Sequence, residues 1–436
     1  MSASATGLGS NKKGGRVSDA SAVTAQRRIL AQGQADSTYS STQKKNVFRT
    51  ASAVLNTEQY NSSVLVAQKL GVAAPTPFVC PSITLADIAT YDGGLGGWVL
   101  NANTTILACQ TLAISSTENF YINSGHILTN NGTITIANGG VVGVENAGST
   151  ITNNGTITNN GGFFPFSGCI VNNNGTFDNN GNITSYATIN NNGTITNNGP
   201  IGTITTNDIF NNTGTITNYN GATFTINGPD FNNSGSIVNN GQMITLAGSV
   251  ITNSSNIVNT NIIQNFGTIT NTGNIENNSG TITNEAAALI EINGNGTITN
   301  DNGAIILNNG DIGINDSGVI TNNGDFTNNS YVTNNSVFTN NNSFTSTYVF
   351  NNNSSGTTTN SVSGTIYNTQ IINVIGTIAN DGTIYVYSDN GQINGSGTID
   401  NNGFIIVADG SGSCGTASIA GTVTVTGTAP TTGCPP

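Results

Sequence analysis

The chain has 436 residues, of which 35% are hydrophobic, 7% are charged and 55 are glycine, and its formal net charge is −12. That composition by itself is typical of a disordered or low-complexity tract and excludes an ordinary enzyme core. The charge is divided along the chain, because residues 1–69 hold all nine Lys and Arg against three acids, whereas residues 70–436 hold eighteen acids and no Lys or Arg. A net +6 followed by −18 indicates a basic segment that docks on an acidic surface and an acidic body that stays soluble.

The first predicted segment, residues 1–75, is a basic anchor that is weakly helical or disordered. It has no apolar stretch of the kind that a secretory signal needs, and the chain has no run of about 18 apolar residues that could span a membrane. We therefore predict synthesis in a cytosol, no transmembrane segment and no sequence-specific binding to nucleic acid. The candidate docking residues are the nine cations, Lys12, Lys13, Arg16, Arg27, Arg28, Lys44, Lys45, Arg49 and Lys69.

Residues 76–127 are predicted to cap the N-terminal end of the repeats that follow. They contain Trp98 and a glycine-rich turn at 94–97. A cap is needed because an uncovered strand edge aggregates. Cys80 and Cys109 bracket this segment, but a cytosolic origin argues against a disulfide there. The single histidine of the chain, His126, is expected to be structural.

Residues 128–410 carry a large apolar residue at every sixth position. A six-residue period fits neither a 3.6-residue helix nor a meander of hairpins, and it favours short strands separated by corners. We therefore predict an all-β parallel β-helix, three-sided with about 18 residues per coil. The clearest run is Ile314, Ile320, Phe326, Val332, Phe338, Phe344 and Phe350.

Within each hexad the residue two before the large one is small, its neighbours are mostly Thr, and Asn-Asn or Asn-Gly follows. Since alternate residues of a strand share a face, large and small residues should alternate inside and Thr should point outward. The Asn residues are predicted to form corners and amide ladders. Cys169 stands at a small position and is expected to be a buried thiol.

A constant coil of about 18 residues predicts which residues stack on which. Longer steps from Ile195 to Ile204 and from Ile282 to Ile290 predict loops. Tyr367, Tyr385 and Tyr387 are expected to form a surface aromatic patch. The predicted stacked pairs are Phe326 with Phe344, Ile320 with Phe338, Ile314 with Val332, Val332 with Phe350, and Tyr367 with Tyr385.

No catalytic, metal or cofactor site is predicted, and the chain is expected not to be an enzyme. Polysaccharide lyases need Arg or Lys, which the repeats lack, and glycoside hydrolases need two carboxylates about 5–9.5 Å apart. The outward acids are expected on distant coils, and a further acidic group lacks the spacing of a calcium loop. These acids are Asp178, Glu276 and Asp400 in the first set and Asp301, Asp311 and Asp316 in the second.

The last segment, residues 411–436, is a Thr/Gly-rich tail that is predicted to cover the far end of the repeats. Cys414 and Cys434 bracket it and could close a disulfide, although their oxidation depends on the compartment.

The pairing of an aliphatic residue with a small residue four positions later, over residues 128–407, resembles the hexapeptide-repeat family. That resemblance implies left-handed coils of three hexads, while a right-handed helix stays an alternative. The acyltransferases of that family use a histidine and cationic groups, which the repeats here lack. The resemblance therefore implies a fold and not an activity.

Outward Thr-Ile-Thr triplets are similar to those of insect and microbial ice-binding solenoids, in which they occupy one face. In a constant 18-residue coil they are expected here to scatter over all three faces, which makes ice binding a minor alternative. The triplets begin at Thr133, Thr156, Thr194, Thr268 and Thr297.

The Asn-Gly-Thr-Ile-Thr repeats, together with the polar N-terminus around residues 15–21, resemble virion proteins of large DNA viruses of algae or protists. This resemblance implies a structural or attachment fibre that is assembled in the host cytoplasm, docks onto a capsid, faces a host glycan or receptor, and could be homo-oligomeric. The alternative is a bacterial adhesin or surface-layer protein at the cell surface, similar to filamentous haemagglutinin-like solenoids.

Overall fold

The structure, a computed structural model, describes residues 80–199, 203–387, 390–408, 418–419, 424–427 and 431–432. The chain divides into two compact units, Met1–Pro81 and Ser82–Pro436. The nine candidate docking cations and the Cys414 and Cys434 pair lie outside the described residues. In the described part of the chain, no helix is long and apolar enough to cross a membrane.

Ser82–Pro436 is an all-β, three-sided parallel β-solenoid. Its described part begins with one short helix, α1 (Leu85–Ile88), in which the backbone N–H and the hydroxyl of Thr84 both donate to Asp87 at 2.8 and 2.7 Å. These bonds to the charged form lower the pKa of the Asp87 carboxyl. After α1 the chain enters strands that are mostly four residues long and stack in parallel register from coil to coil.

Sheet A holds 18 of the described strands, and each strand pairs with the next one named. Its first pair is antiparallel and all the others are parallel. The strands are β1 Ala89–Asp92, β2 Gly97–Leu100, β5 Asn119–Ile122, β8 Val141–Val144, β11 Gly162–Pro165, β14 Asn182–Ser185, β17 Thr203–Thr206, β20 Thr223–Ile226, β23 Gln242–Thr245, β26 Ile262–Asn265, β29 Thr281–Asn284, β32 Ile305–Asn308, β35 Asp325–Asn328, β38 Ser343–Ser346, β41 Thr365–Asn368, β44 Thr383–Tyr387, β47 Phe404–Ala408 and β50 Thr431–Thr432.

Sheet B holds 16 described strands, all parallel. They are β3 Thr104–Ile106, β6 Ile127–Asn130, β9 Thr150–Asn153, β12 Ile170–Asn173, β15 Thr188–Asn191, β18 Phe210–Asn212, β21 Phe231–Asn233, β24 Val250–Asn253, β27 Thr268–Asn271, β30 Leu289–Ile292, β33 Asp311–Ile314, β36 Tyr331–Asn334, β39 Val349–Asn352, β42 Ile371–Val374, β45 Gln392–Gly395 and β48 Ser418–Ile419.

Sheet C also holds 16 described strands in parallel order. They are β4 Thr111–Ile114, β7 Thr133–Ile136, β10 Thr156–Asn159, β13 Thr176–Asn179, β16 Thr194–Asn197, β19 Thr215–Asn218, β22 Ser236–Asn239, β25 Asn256–Asn259, β28 Asn274–Asn277, β31 Thr297–Asn300, β34 Val319–Asn322, β37 Val337–Asn340, β40 Thr357–Asn360, β43 Thr377–Asn380, β46 Thr398–Asn401 and β49 Thr424–Gly427.

In most strands the second and fourth residues point inward and the first and third point outward. In β10, for example, Ile157 and Asn159 are buried while Thr156 and Thr158 are half-exposed. The inward Ile and Phe side chains stack into columns that run through one continuous core. Each fully buried Ile or Phe contributes about 1.5–3 kcal/mol relative to an exposed one.

The first Asn after each apolar residue corrects the prediction that the Asn pairs form the corners. It is the fourth strand residue, and it is buried: Asn159, Asn179 and Asn197 are 0% exposed. Their side-chain amides hydrogen-bond from coil to coil inside the solenoid, at 2.7 Å from Asn159 to Asn179 and 2.8 Å from Asn179 to Asn197. The predicted amide ladder therefore exists, but its main column lies in the interior.

The corner position two before each apolar residue is small because the neighbouring coil passes very close to it. A Cβ added at Gly193 would lie 2.1 Å from the carbonyl oxygen of Gly175. At other corners Ala187 and Cys169 fill this place, and both are buried.

The predicted constant coil of 18 residues is wrong. From Thr176 to Thr194 all three linkers have two residues and the repeat is 18, but the described coils range up to the 26 residues between Thr398 and Thr424. Extra residues enter as longer linkers between strands. One such linker, 285–288, lies within the step from Ile282 to Ile290, where a loop was predicted.

Because coil length varies, some stacked pairs are right and one is wrong. Phe326 lies over Phe344, Ile320 over Phe338, Val332 over Phe350 and Tyr367 over Tyr385, as predicted. Ile314 does not pair with Val332. A four-residue linker, 315–318, lengthens that coil, so that Ile312 takes Val332 as its partner and Ile314 aligns with Asn334.

Candidate functional site

The interior of the solenoid offers no cleft for a substrate in its described part. Apolar columns and amide ladders fill it, and the void found there has a volume of only about 20 Å³. That void is large enough for a single water-sized sphere. It lies among the inward side chains of Phe163, Val171, Asn173, Phe177, Ile183, Ile189, Ile195, Ile204 and Phe210. Any functional chemistry of the described solenoid is therefore on its outer faces.

The outward acids do not come together. Asp178, Glu276 and Asp400 are the third residues of β13, β28 and β46, so they are separated by several strands of sheet C. Asp301 follows β31 of sheet C, while Asp311 begins β33 of sheet B. Among the described residues, no group of three or more His, Cys, Asp or Glu side chains could hold a metal ion.

Three of the five cysteines are described. Cys169 is 1% exposed, as predicted, and its thiol lies 3.2 Å from the carbonyl oxygen of Val144. Burial raises its pKa, which keeps it an unreactive thiol. Cys80 and Cys109 are both disulfide-bonded, contrary to the expectation from a cytosolic origin.

The predicted aromatic patch forms on the outer face of sheet A. Tyr367 and Tyr385 are parallel with ring centroids 5.2 Å apart, and Tyr387 meets Tyr367 edge-on at 6.2 Å. The column continues past Tyr385 to Ile406, and Phe404 on the same strand is 61% exposed. We call Tyr367, Tyr385 and Tyr387 the tyrosine patch. It has an open apolar surface of the kind that stacks on the faces of sugar rings.

A second aromatic pair was not anticipated. Tyr331 and Tyr348 meet edge-on at 5.0 Å, and each is 42% exposed. Their hydroxyls lie 3.5 Å apart, and this contact raises the pKa of Tyr331. Tyr348 lies in the linker before β39, so only the coil register shows that it reaches Tyr331.

Near the N-terminal end of sheet A, Tyr121 is the outward residue of β5 and lies against two glycines. A Cβ at Gly97 would be 2.6 Å from its ring, and one at Gly143 would be 2.8 Å away. Glu145 lies at the end of the same region, and burial raises its pKa. Burial and the nearby Glu145 raise the pKa of Tyr121.

Sheet C carries a different surface, which constant-coil reasoning had spread over three faces. Of the five Thr-Ile-Thr triplets singled out in the sequence, those beginning at Thr133, Thr156, Thr194 and Thr297 all lie on sheet C. The triplet beginning at Thr268 lies on sheet B. The prediction that these triplets scatter evenly is therefore wrong, and the longer linkers are the reason.

From β7 to β19 the outward residues of sheet C are nine threonines and one aspartate. We call the nine threonines the threonine array. They form two columns in strict register, one of first strand residues and one of third strand residues, with Asp178 in the second column. The array consists of Thr133, Thr135, Thr156, Thr158, Thr176, Thr194, Thr196, Thr215 and Thr217.

No protein-family model matches the chain, and no curated protein matches it. Among solved structures, the chain is similar to one described as the crystal structure of the TibC-catalyzed hyper-glycosylated TibA55-350 fragment. The identity is 16%, the match covers 81% of this chain and 94% of that chain, and the TM-score is 0.20. At these values the likeness says nothing about activity or partners, and the fold rests on the strand register alone.

Proposed function

We propose that the chain is a non-enzymatic structural or attachment protein, in which the basic N-terminal segment docks on an acidic particle surface and the solenoid is displayed from it. A viral capsid is the leading candidate for that particle. The observation that carries the proposal is the uninterrupted stack of in-register strands around a filled core. Such a stack gives a long surface and, in its described part, no enclosed site for chemistry.

Charge supports the division of labour between the two parts. The segment 1–69 has a net charge of +6, and residues 70–436 contain eighteen acids with no Lys or Arg to pair with them. Attraction to an acidic surface therefore falls to the N-terminal segment, while the solenoid is repelled from the same surface. This attraction should weaken as salt rises, because exposed charges are screened beyond about 8–10 Å at physiological ionic strength.

Charge neutralisation in the full-length chain tests the proposal. A variant with Lys12, Lys13, Arg16, Arg27 and Arg28 changed to Gln should lose co-sedimentation with virus particles from the source culture and with carboxylated beads. The control variant, Asp178→Asn and Asp400→Asn, changes charge on the solenoid instead and should sediment like wild type. Equal sedimentation of wild type and the five-residue variant at low salt contradicts docking by the N-terminal segment.

A bacterial surface adhesin is the second candidate, and one observation favours it. Cys80 and Cys109 are both disulfide-bonded. Disulfides persist in oxidising compartments and are rare in a reducing cytosol. Alkylation of thiols in intact source cells under denaturing, non-reducing conditions, followed by mass spectrometry, distinguishes the two. Oxidised Cys80 and Cys109 in a cell-surface fraction support the adhesin, whereas reduced cysteines in a particle fraction support the virion protein.

A further inference from the structure

We propose that the threonine array is an ice-binding surface, which orders water in a lattice that matches ice. This function goes beyond the attachment role and uses a different face from the tyrosine patch. The ligand is the surface of crystalline water and not a soluble molecule.

The first observation is the two-dimensional regularity of the array. In the first column Thr133, Thr156, Thr176, Thr194 and Thr215 are direct neighbours from strand to strand. The second column repeats this order one pleat further along each strand. Neighbouring strands lie about 4.8 Å apart, and residues two apart on one strand lie about 6.6 Å apart. The hydroxyls therefore occupy the points of a rectangular grid.

The grid has a spacing that tetrahedral water shares. Hydrogen-bonded oxygens lie about 2.8 Å apart, so two waters bonded to a common third one are about 4.6 Å apart by tetrahedral geometry. That distance is close to the separation of the strands, about 4.8 Å. Waters held by successive hydroxyls of one column are therefore at the second-neighbour spacing of an ice-like network.

The second observation is that these hydroxyls are available. Within the described residues, the only one of the nine with a protein partner is that of Thr196, which donates to the carboxylate of Asp178. Most of the array is half-exposed, and Thr194 is exposed. Threonine has few χ1 rotamers, since its Cβ is branched, so a row of threonines presents hydroxyl and methyl groups with little entropy to lose.

The support beneath the array is rigid, and its surface is unobstructed. Asn159, Asn179 and Asn197 form the buried amide ladder directly under it. None of the large hydrophobic side chains that are exposed in the described part of the chain belongs to a strand of sheet C. On sheet A, by contrast, Tyr121 and Phe164 occupy the outward column, so a flat crystal face could not approach it evenly.

The test compares matched lysine substitutions on two faces of the full-length protein. Thr158→Lys with Thr196→Lys puts bulky charges in the centre of the array. Thr225→Lys with Thr283→Lys places the same change at the same strand position of sheet A. The readouts are partition into a growing ice hemisphere, inhibition of ice recrystallisation and thermal hysteresis, with circular dichroism melting to establish that each variant is folded.

Wild type should enter the ice and inhibit recrystallisation, the sheet C variant should lose both activities, and the sheet A variant should keep them. Asp178→Thr, which completes the grid, should strengthen both. Absence of ice partition by wild type, or equal loss in the two folded lysine variants, overturns the proposal. The variant with neutralised N-terminal cations should keep ice partition, so failure of docking and failure of ice binding are separable outcomes.

Discussion

The side-chain amide of Asn173 donates to the Oδ1 of Asn191 at 2.7 Å, and both residues are buried. The same amide also donates to the carbonyl oxygen of Thr194 at 3.0 Å, across the corner to the next strand. Asn191 repeats both bonds with Asn212 and Thr215 at 2.7 and 3.2 Å. Each inward Asn therefore connects two coils and fixes one corner, which explains why a polar residue recurs inside an apolar core.

Replacing one inward Asn should destabilise the solenoid strongly. Asn191→Ala leaves an amide hydrogen of Asn173 and the carbonyl of Thr215 without partners, and each buried orphan costs about 1–3 kcal/mol. We expect a loss of at least about 2 kcal/mol, measured as a lower urea midpoint.

Asn192→Ala is the matched control. Asn192 is the next residue, is exposed, and belongs to an outer ladder in which its amide donates to Asn174 at 2.9 Å. Water replaces that bond, so the change should cost well under about 1 kcal/mol. Equal midpoints for the two variants would show that the inner ladder does not hold the coils together.

Filling the internal void should stabilise the protein. Val171 lines the void of about 20 Å³, and Val171→Ile adds one methylene there, worth about 0.8 kcal/mol of burial. Val332→Ile is the control, because Val332 is fully buried between Ile312 and Phe350 and no void has been found beside it. That substitution should be neutral or cost about 1–3 kcal/mol. A lower melting temperature for Val171→Ile would mean that the void is already closed.

Glu145 should make stability depend on pH in the acid range. Burial raises its pKa above the usual 4.5, so the charged form is disfavoured in the folded state. Its contribution to stability is therefore complete below pH 4.5 and is lost as pH rises through the folded pKa. Urea unfolding of wild type and Glu145→Gln should agree at pH 3.5, and wild type should be the less stable of the two at pH 7. A difference that is the same at both pH values would contradict a raised pKa.

The tyrosine patch should bind carbohydrate through stacking. Tyr385→Ala removes the ring that lies parallel to Tyr367 and should abolish binding to those oligosaccharides that wild type retains in a glycan array. Tyr186→Ala is the control, since Tyr186 is 48% exposed at a corner and belongs to no described aromatic pair. Retention of the same glycans by both variants would leave the patch as a packing surface only.

The sequence was sufficient to predict the fold class, because the inward Ile and Phe obey a local rule in which alternate strand residues share a face. That rule also places the residue two after each Ile inward, so the burial of Asn159 was accessible from it. Polar character suggested a corner instead. Only the neighbouring coil supplies the partner that makes a buried amide affordable, and that partner is not local in sequence.

Register was predicted where every linker has two residues and failed where one has four. Phe326 and Phe344 fall in the first class, whereas Ile314 and Val332 fall in the second. The threonine array was missed for the same reason, since a linker of four residues shifts every later triplet to another face. Summing strand and linker lengths coil by coil would have placed Thr156 under Thr176.

Oxidative cross-linking on sheet C tests the coil register most directly. The structure pairs Thr158 with Asp178, twenty residues on, so their Cα atoms lie about 4.8 Å apart, within reach of a disulfide. Thr158 and Thr176, eighteen residues apart, lie about 8 Å from each other, which is too far. Thr158→Cys with Asp178→Cys should form an intramolecular cross-link by mass spectrometry, and Thr158→Cys with Thr176→Cys should not. Cross-linking of the second pair alone would contradict the register, and the threonine array would not exist.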